Sequence, residues 1–284
     1  MELNQDNYYT KDSDMEYCSY SQYKLFQGTS VYAGCPARAM AEIKGEIVHK
    51  VSAPMMMGSY VDAYFSGMED FSDFLTRYQD EVFYRSKKNR DKVKSLYKKA
   101  NEMINRARRD KFWMYFMEGE KQKIYTGEIG GVMFKCRMDN VNPDFTTDLK
   151  TCRTLNRDKK VLDVTLEGDK VPFVETLGYE IQAAIYQEIR YQNEGGKKLP
   201  FFINAISKDT DPLDGSFHPR IAVIQVPQYL MDDRLKEVEQ YASRIKQIKD
   251  GEAEAAKCER CTYCNDTMEL ERAWQWDDFY VLDD

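Results

Sequence analysis

The residues best suited to chemistry are two aspartates and a lysine in the middle of the chain. The segment GGVMFKCRMDNVNPDFTTDLKTCRT places Asp139 at the end of one predicted strand, and Asp148 and Lys150 in the next. A spacing of two puts the Asp148 and Lys150 side chains on the same face of a strand. Two carboxylates and an ammonium in one place are costly unless a cation neutralises the acids. The pattern therefore indicates a site for a hard divalent cation, Mg²⁺ or Mn²⁺.

Such a cation would be held by Asp139 and Asp148, with the backbone carbonyl near Leu149 as a further ligand. It would lower the pKa of a bound water and stabilise charge on a phosphate. Lys150 would orient that water or stabilise the transition state. Only two histidines are present, so hydrolytic chemistry has to rest on carboxylates and lysine.

Hydrophobic periodicity predicts the elements that position these residues. Alternating apolar residues predict strands at 132–138 and 145–151, joined by a turn at 140–144 that contains Asn-Pro-Asp. Further strands are predicted at 201–206 and 221–226, with helices at 176–193 and 230–248. Upstream the pattern is helical at 19–46, after Pro54, and from about 70 to 117. These elements predict an α/β core with added helices.

Three short motifs resemble a known nuclease family. Asp139, followed by Asp148-Leu149-Lys150, resembles the PD-(D/E)xK signature. Residues 178–186, GYEIQAAIY, resemble the GYxxQxxxY motif of the RecB-like branch, with Gln182 and Tyr186 four residues apart on one helix face. Residues 58–62, GSYVD, resemble that branch's GxxxH motif, with Asp62 in place of the histidine. Asp62 would add a third carboxylate to the metal site, or be an exposed helical acid.

The resemblance implies a PD-(D/E)xK restriction-endonuclease-like fold, in which helices flank a central mixed sheet. It implies one nuclease domain over residues 1–284, with a basic helical insertion at about 70–118 and a cysteine-rich segment at about 255–284. Catalytic roles fall to Asp139, Asp148, Lys150, Gln182 and Tyr186.

The overall likeness is to phage-type exonucleases related to exodeoxyribonuclease VIII. That implies digestion of DNA from duplex ends in recombination or repair, with a single-strand annealing recombinase as a partner and a homo-oligomeric assembly. The alternatives are a structure-specific or CRISPR-adaptation-like endonuclease and a non-catalytic DNA-binding assembly subunit.

A second group of candidate ligands consists of cysteines. Cys258, Cys261 and Cys264 have the spacing C-x2-C-x2-C, which can hold one metal centre once a fourth ligand is supplied. Cys35 is the best candidate for that ligand. Cys35-Pro36 resembles the first ligand of a [4Fe-4S] cluster in one subset of RecB-like nucleases. The C-terminal spacing is tighter than in that subset, which leaves zinc open, and reduced, unligated thiols are the third alternative.

The net charge of −7 is unevenly distributed. Residues 85–111 contain twelve Lys or Arg and three acids, whereas residues 265–284 contain seven acids and one Arg. The basic stretch is a solvated helix face or a phosphate-binding surface, since DNA responds to local patches of charge. The DNA-binding candidates are Arg85, Lys87, Lys88, Arg90, Arg153 and Arg157. The polar N-terminus and the lack of a long apolar run predict a cytoplasmic protein with no membrane association, in the host cytoplasm for a phage-encoded chain.

Overall fold

The structure, a computed structural model, describes residues 1–48, 51–86, 92–155, 162–164 and 170–270, together with 273 and 275. Within them, the N-terminal half forms the helices and short strands α1 (Lys11–Glu16), α2 (Tyr20–Gln27), β1 (Gly28–Thr29), β2 (Tyr32–Ala33), α3 (Pro36–Lys44), α4 (Ala53–Ser66), α5 (Met68–Arg77), α6 (Gln79–Val82), α7 (Ser95–Arg108) and α8 (Lys111–Tyr115). The remaining elements are β3 (Glu120–Ile129), β4 (Val132–Val141), β5 (Thr146–Cys152), β6 (Leu162–Val164), β7 (Lys170–Pro172), α9 (Phe173–Thr176), α10 (Tyr179–Glu194), β8 (Phe201–Ser207), β9 (Ile221–Gln225), α11 (Gln228–Lys249) and α12 (Thr262–Asp266).

A five-stranded mixed sheet in the order β3-β4-β5-β8-β9 forms the centre of the fold. The β5 and β8 strands are parallel, and the other neighbours are antiparallel. Gly130 and Gly131 connect β3 to β4 with φ of 59° and 75°, values that a two-residue hairpin turn requires and that glycine adopts without strain. The parallel pair needs a longer crossover, which contains α10. The predicted α/β fold with a central mixed sheet is confirmed.

Two hydrophobic cores lie on opposite faces of the sheet. Along β8, Ile203 and Ala205 enter one core with α2, α3, α10 and α11, whereas Ile206 enters a second core with α4, α5, α7 and α8. Side chains alternate between the faces of a strand, so one strand supplies both cores. The region predicted as a helical insertion at 70–118 therefore supports the sheet from one side, in several helices and not as one long helix.

Three predictions of local structure were wrong. The helical pattern at 19–46 is two helices, α2 and α3, because the β1-β2 hairpin interrupts it. The β3 strand was missed because two of its buried positions are Gln122 and Gly127, which are not apolar side chains and so break the alternation. Asn140 is in β4 and not in a turn, since its buried amide donates hydrogen bonds to the Phe116 and Glu118 carbonyls.

In the part of the chain that the structure describes, every helix is too short or too polar to cross a membrane.

Candidate active site

A gap between β4 and β5 positions the two aspartates. The two strands pair only at Asn140–Thr147 and Val141–Thr146, and beyond these pairs they diverge. In the gap, Oδ2 of Asp139 accepts a hydrogen bond of 2.8 Å from the Leu149 backbone N–H. The N–H and C=O of one strand residue point to the same side. The Leu149 carbonyl therefore faces this gap as well, as its predicted role as a ligand requires.

Lys150 and Gln182 both contact Asp148. Gln182 donates a hydrogen bond of 2.7 Å from Nε2 to Oδ1 of Asp148, and the Lys150 ammonium forms an ion pair with Oδ2. The Lys150 Nζ also lies 5.0 Å from the centroid of the Tyr179 ring. These contacts connect β5 to the first turn of α10. Asp148 is thus held by a strand and a helix, and its orientation is fixed before any ligand arrives.

Burial and mutual repulsion perturb the carboxylates. Burial, followed by repulsion from Asp148 and Asp62, raises the pKa of Asp139 well above its usual range. Burial and the charge of Asp148 raise the pKa of Asp62 to about 6, although Arg137 opposes the change. Burial favours the neutral amine of Lys150, but Asp148 and Asp139 outweigh it and raise the pKa of Lys150. Three acids thus repel one another, with the Lys150 ammonium paired to one of them.

This set of donors fits a hard divalent cation. Carboxylate and backbone carbonyl oxygens are the ligands that Mg²⁺ and Mn²⁺ prefer, and a cation relieves the repulsion between the acids. Asp139 and Asp148 line one cavity, and the hydrogen bond from the Leu149 N–H to Asp139 places the Leu149 backbone beside them. Asp62, on α4, is close enough to raise the pKa of Asp139. The oxygens of these three acids do not all lie within 4.8 Å of one another.

The two acids, Lys150 and Gln182 line a cavity of about 560 Å³. Tyr186, the last residue of the predicted catalytic set, lies on its wall and is largely buried. The same cavity is also lined by Tyr8, Tyr9, Lys135 and Arg137, which the sequence did not single out. Lys135 and Arg137 could have been found, because they precede Asp139 by four and two residues along one strand. No local signal connects Tyr8 and Tyr9 to the site.

Most of the predicted DNA-binding residues cannot be placed against this cavity. Arg85 is exposed and forms an ion pair with Asp80 on α6. Arg153 is exposed at the end of β5. Lys87, Lys88, Arg90 and Arg157 lie outside the described residues. Their contact with DNA stays a prediction.

The four predicted cysteine ligands converge at a second site. Cys35 lies at the start of α3 and the other three lie around α12, and their four sulfurs are all within 4.8 Å of one another. The Cys264 Sγ is 3.5 Å from those of Cys35 and Cys261 and 3.9 Å from that of Cys258. The Arg260 backbone N–H helps to lower the pKa of Cys258 to about 6, which favours the thiolate that binds metals. Among the described residues, no other group of three or more His, Cys, Asp or Glu donors is this close.

These sulfur distances have a simple chemical meaning. Zinc–sulfur bonds of about 2.3 Å place the sulfurs of a tetrahedral site about 3.8 Å apart. In a [4Fe-4S] site, a cluster of eight atoms lies between the cysteine sulfurs, so those sulfurs are roughly 6 Å apart. The observed distances of 3.5, 3.5 and 3.9 Å lie nearer the first value than the second. The C-x2-C-x2-C spacing is also that of ferredoxin-type clusters.

Comparisons with known proteins agree with this geometry. Residues 19–267 match the profile of the PDDEXK-like domain of unknown function (DUF3799). The crystal structure of a Eubacterium rectale protein named "putative exonuclease" superposes with a TM-score of 0.86, at 34% sequence identity over 98% of both chains. No curated protein matches the sequence. The match over most of the chain confirms the resemblance to PD-(D/E)xK nucleases, and the chain belongs to the family of PDDEXK-like domains.

Proposed function

We propose that this protein is a metal-dependent DNA nuclease that hydrolyses phosphodiester bonds. The observation that supports this most strongly is the convergence of Asp139, Asp148, Lys150 and Gln182 on one cavity, in a chain of the PDDEXK-like family. A purely structural role would not require a cluster of three acids in which burial and neighbouring carboxylates raise the pKa of Asp139 and of Asp62.

Each residue has a defined part in the proposed reaction. Asp139 and Asp148 hold the divalent cation, with Asp62 and the Leu149 carbonyl as further donors. When bound, the cation supplies positive charge to the phosphate and acidifies water. The Lys150 ammonium donates a hydrogen bond to a phosphate oxygen and stabilises the charge that develops there. Gln182 keeps Asp148 in its binding orientation, and Tyr186 closes the cavity wall.

The substrate in this proposal is the end of a DNA molecule, and the reaction is exonucleolytic. The name of the Eubacterium rectale protein favours an exonuclease over an endonuclease. Action in recombination or repair, pairing with a single-strand annealing recombinase, and a homo-oligomeric state follow from the resemblance to phage-type exonucleases. A structure-specific endonuclease with the same site is the competing candidate.

The decisive experiment compares end-labelled linear DNA with closed circular DNA, in Mg²⁺ or in EDTA. We expect loss of linear DNA only, dependent on Mg²⁺ and abolished in Asp148→Asn. Asp144→Asn is the matched control, since Asp144 is an exposed acid in the turn before β5. Cleavage of circular DNA would identify an endonuclease. If Asp148→Asn cleaves as fast as the wild type, the assigned site is wrong.

The proposal also assigns a structural metal to the four cysteines. The sulfur distances favour one zinc ion over an iron–sulfur cluster. Protein purified without oxygen and analysed for metals and sulfide should contain one zinc per chain. Four irons with four sulfides and absorbance near 400 nm would identify the cluster instead. Protein that is folded, fully reduced and free of both metals would refute a metal centre.

A further inference from the structure

An exposed aromatic ring stands at the rim of the catalytic cavity. Tyr9 and its neighbour Tyr8 both line the cavity that contains Asp139 and Asp148. Tyr8 is only 6% exposed, whereas Tyr9 is 67% exposed. Burying an aromatic ring is favourable, so a large exposed ring beside a reactive site is a candidate contact for a ligand.

Two neighbours hold the Tyr9 ring in place. Its centroid is 4.8 Å from that of Tyr8, with the rings nearly perpendicular at 83°. On β4, the Arg137 guanidinium lies 5.0 Å from the Tyr9 centroid. Arg137 precedes Asp139 by two residues, so both side chains lie on the same side of the strand and line the same cavity. The Tyr9 ring and the Arg137 guanidinium therefore lie side by side at the cavity.

The segment that carries Tyr9 is anchored firmly to the sheet. The Lys135 ammonium, on a residue only 1% exposed, donates hydrogen bonds to the Tyr8 carbonyl, the Ser13 hydroxyl and the Asp14 carboxylate. The backbone of Cys18 then pairs with β4 beside Phe134. A buried ammonium with three partners is strongly bound to them, so the position of Tyr9 relative to the catalytic acids is fixed.

We infer that Tyr9 stacks on an unpaired base next to the scissile phosphate, while Arg137 binds the neighbouring phosphate. Single-stranded nucleic acid is recognised by this combination of an aromatic platform and a cationic groove. A base inside a duplex has both faces stacked, and a terminal pair leaves only its outer face free, so the base next to the scissile phosphate must be unpaired before Tyr9 can stack on it. The substrate class is therefore a single strand or a frayed end. This inference rests on the proposed nuclease function.

The test compares Tyr9→Ala, Tyr9→Phe and the wild type on a single-stranded oligonucleotide. Stacking of this kind contributes roughly 5-fold to 100-fold in affinity per base. We expect Tyr9→Ala to raise KM for the single strand by about 10-fold, with kcat changed less than about 3-fold. Tyr9→Phe keeps the ring and should behave as the wild type. Tyr229→Ala is the matched control, since Tyr229 is 70% exposed on α11 and does not line the cavity.

A binding measurement separates this inference from the proposed activity. In Ca²⁺, fluorescence anisotropy of a labelled single strand gives Kd without any need for cleavage. A weaker Kd in Tyr9→Ala, restored in Tyr9→Phe, supports stacking even if the wild type cleaves nothing, in which case only the proposed function fails. If the wild type cleaves DNA and Tyr9→Ala matches it in both Kd and KM, the stacking inference is wrong and the nuclease stands.

Discussion

Gln182 and Asp148 are joined by a hydrogen bond of 2.7 Å between Nε2 and Oδ1, although 34 residues separate them in the chain. The bond connects the catalytic strand β5 to α10. The Gln182 amide donates to one carboxylate oxygen of Asp148 and leaves the other oxygen to the Lys150 ammonium. Hydrogen bonds of this kind to metal ligands orient the ligand and tune its affinity.

We expect Gln182→Ala to lower kcat and to weaken activation by Mg²⁺, each by about 10-fold to 100-fold. The measurement is a Mg²⁺ titration of the cleavage rate. Gln192→Ala is the matched control, since Gln192 is exposed on the same helix and its amide bonds to the Glu128 backbone. An unchanged Mg²⁺ dependence in Gln182→Ala would show that this bond does not position Asp148.

The charge repulsion at Asp139 predicts a conflict between function and stability. Asp139→Asn removes one of the repelling charges while its amide oxygen can still accept the Leu149 N–H bond. In EDTA the variant should be more stable than the wild type by roughly 1 kcal/mol. Added Mg²⁺ should raise the Tm of the wild type but not that of the variant.

Thermal unfolding with and without Mg²⁺ measures both effects. Asp144→Asn again serves as the control, because this exposed acid should change neither the Tm nor its response to Mg²⁺. An Asp139→Asn protein less stable than the wild type in EDTA would contradict the conclusion that burial and repulsion together destabilise the Asp139 carboxylate.

The placement of Asp139, Asp148 and Lys150 was predictable because it depends on the local sequence pattern. Asp148 and Lys150 share a strand face through their spacing alone, and the alternation in β4 places Asp139 near its end. The same alternation misleads at Lys135, which looks like a solvent-facing residue of the polar face but is buried. Its partner Tyr8 is 127 residues away. Such a contact depends on the tertiary fold, so the wall that Tyr8 and Tyr9 form was not predictable.

The Lys135 contacts predict a large loss of stability in Lys135→Met. Methionine fills similar space but leaves the Tyr8 carbonyl and the Ser13 hydroxyl buried without this donor. The free energy of unfolding should fall by about 3 kcal/mol, as measured by urea denaturation.

Lys236→Met is the control. Its ion pair with Asp233 is exposed on α11, so the change should stay within about 0.5 kcal/mol. Equal losses in both variants would refute the structural role of Lys135.

Glu180 predicts a pH dependence of stability. Burial raises its pKa from 4.5 to about 7, and the Arg234 Nε, 3.6 Å from Oε1, opposes this only in part. A carboxyl with a raised pKa binds more protons in the folded state than in the unfolded state. Stability is therefore highest below pH 4.5 for this group and is lost as pH rises to about 7.

Glu180→Gln replaces the titrating carboxyl with an amide that stays neutral at every pH tested. The variant should match the wild type near pH 4.5 and exceed it at pH 8 by roughly 3 kcal/mol. Urea unfolding across this pH range provides the measurement. Glu237→Gln is the control, because Glu237 pairs with the same arginine but its side chain is only half-buried. The prediction is refuted if the wild type becomes more stable relative to Glu180→Gln between pH 5 and 7, because that change has the opposite sign.

The cysteine site predicts that metal binding and local folding are lost together. Cys258→Ser replaces a partly exposed ligand, so the core is left intact. Apart from the cysteines, few contacts hold the described part of the cysteine-rich segment, about 255–284, to the rest of the protein. One of them is the hydrogen bond that the Ala37 N–H donates to the Ala256 carbonyl. Metal binding to a site that is not preformed contributes directly to folding.

The Cys258→Ser variant should lose its metal, melt several degrees lower and be cleaved by trypsin near residue 260. Cys152→Ser, outside the cluster, should retain the metal and resist cleavage there. If Cys258→Ser keeps its full metal content, the four sulfurs do not form the binding site.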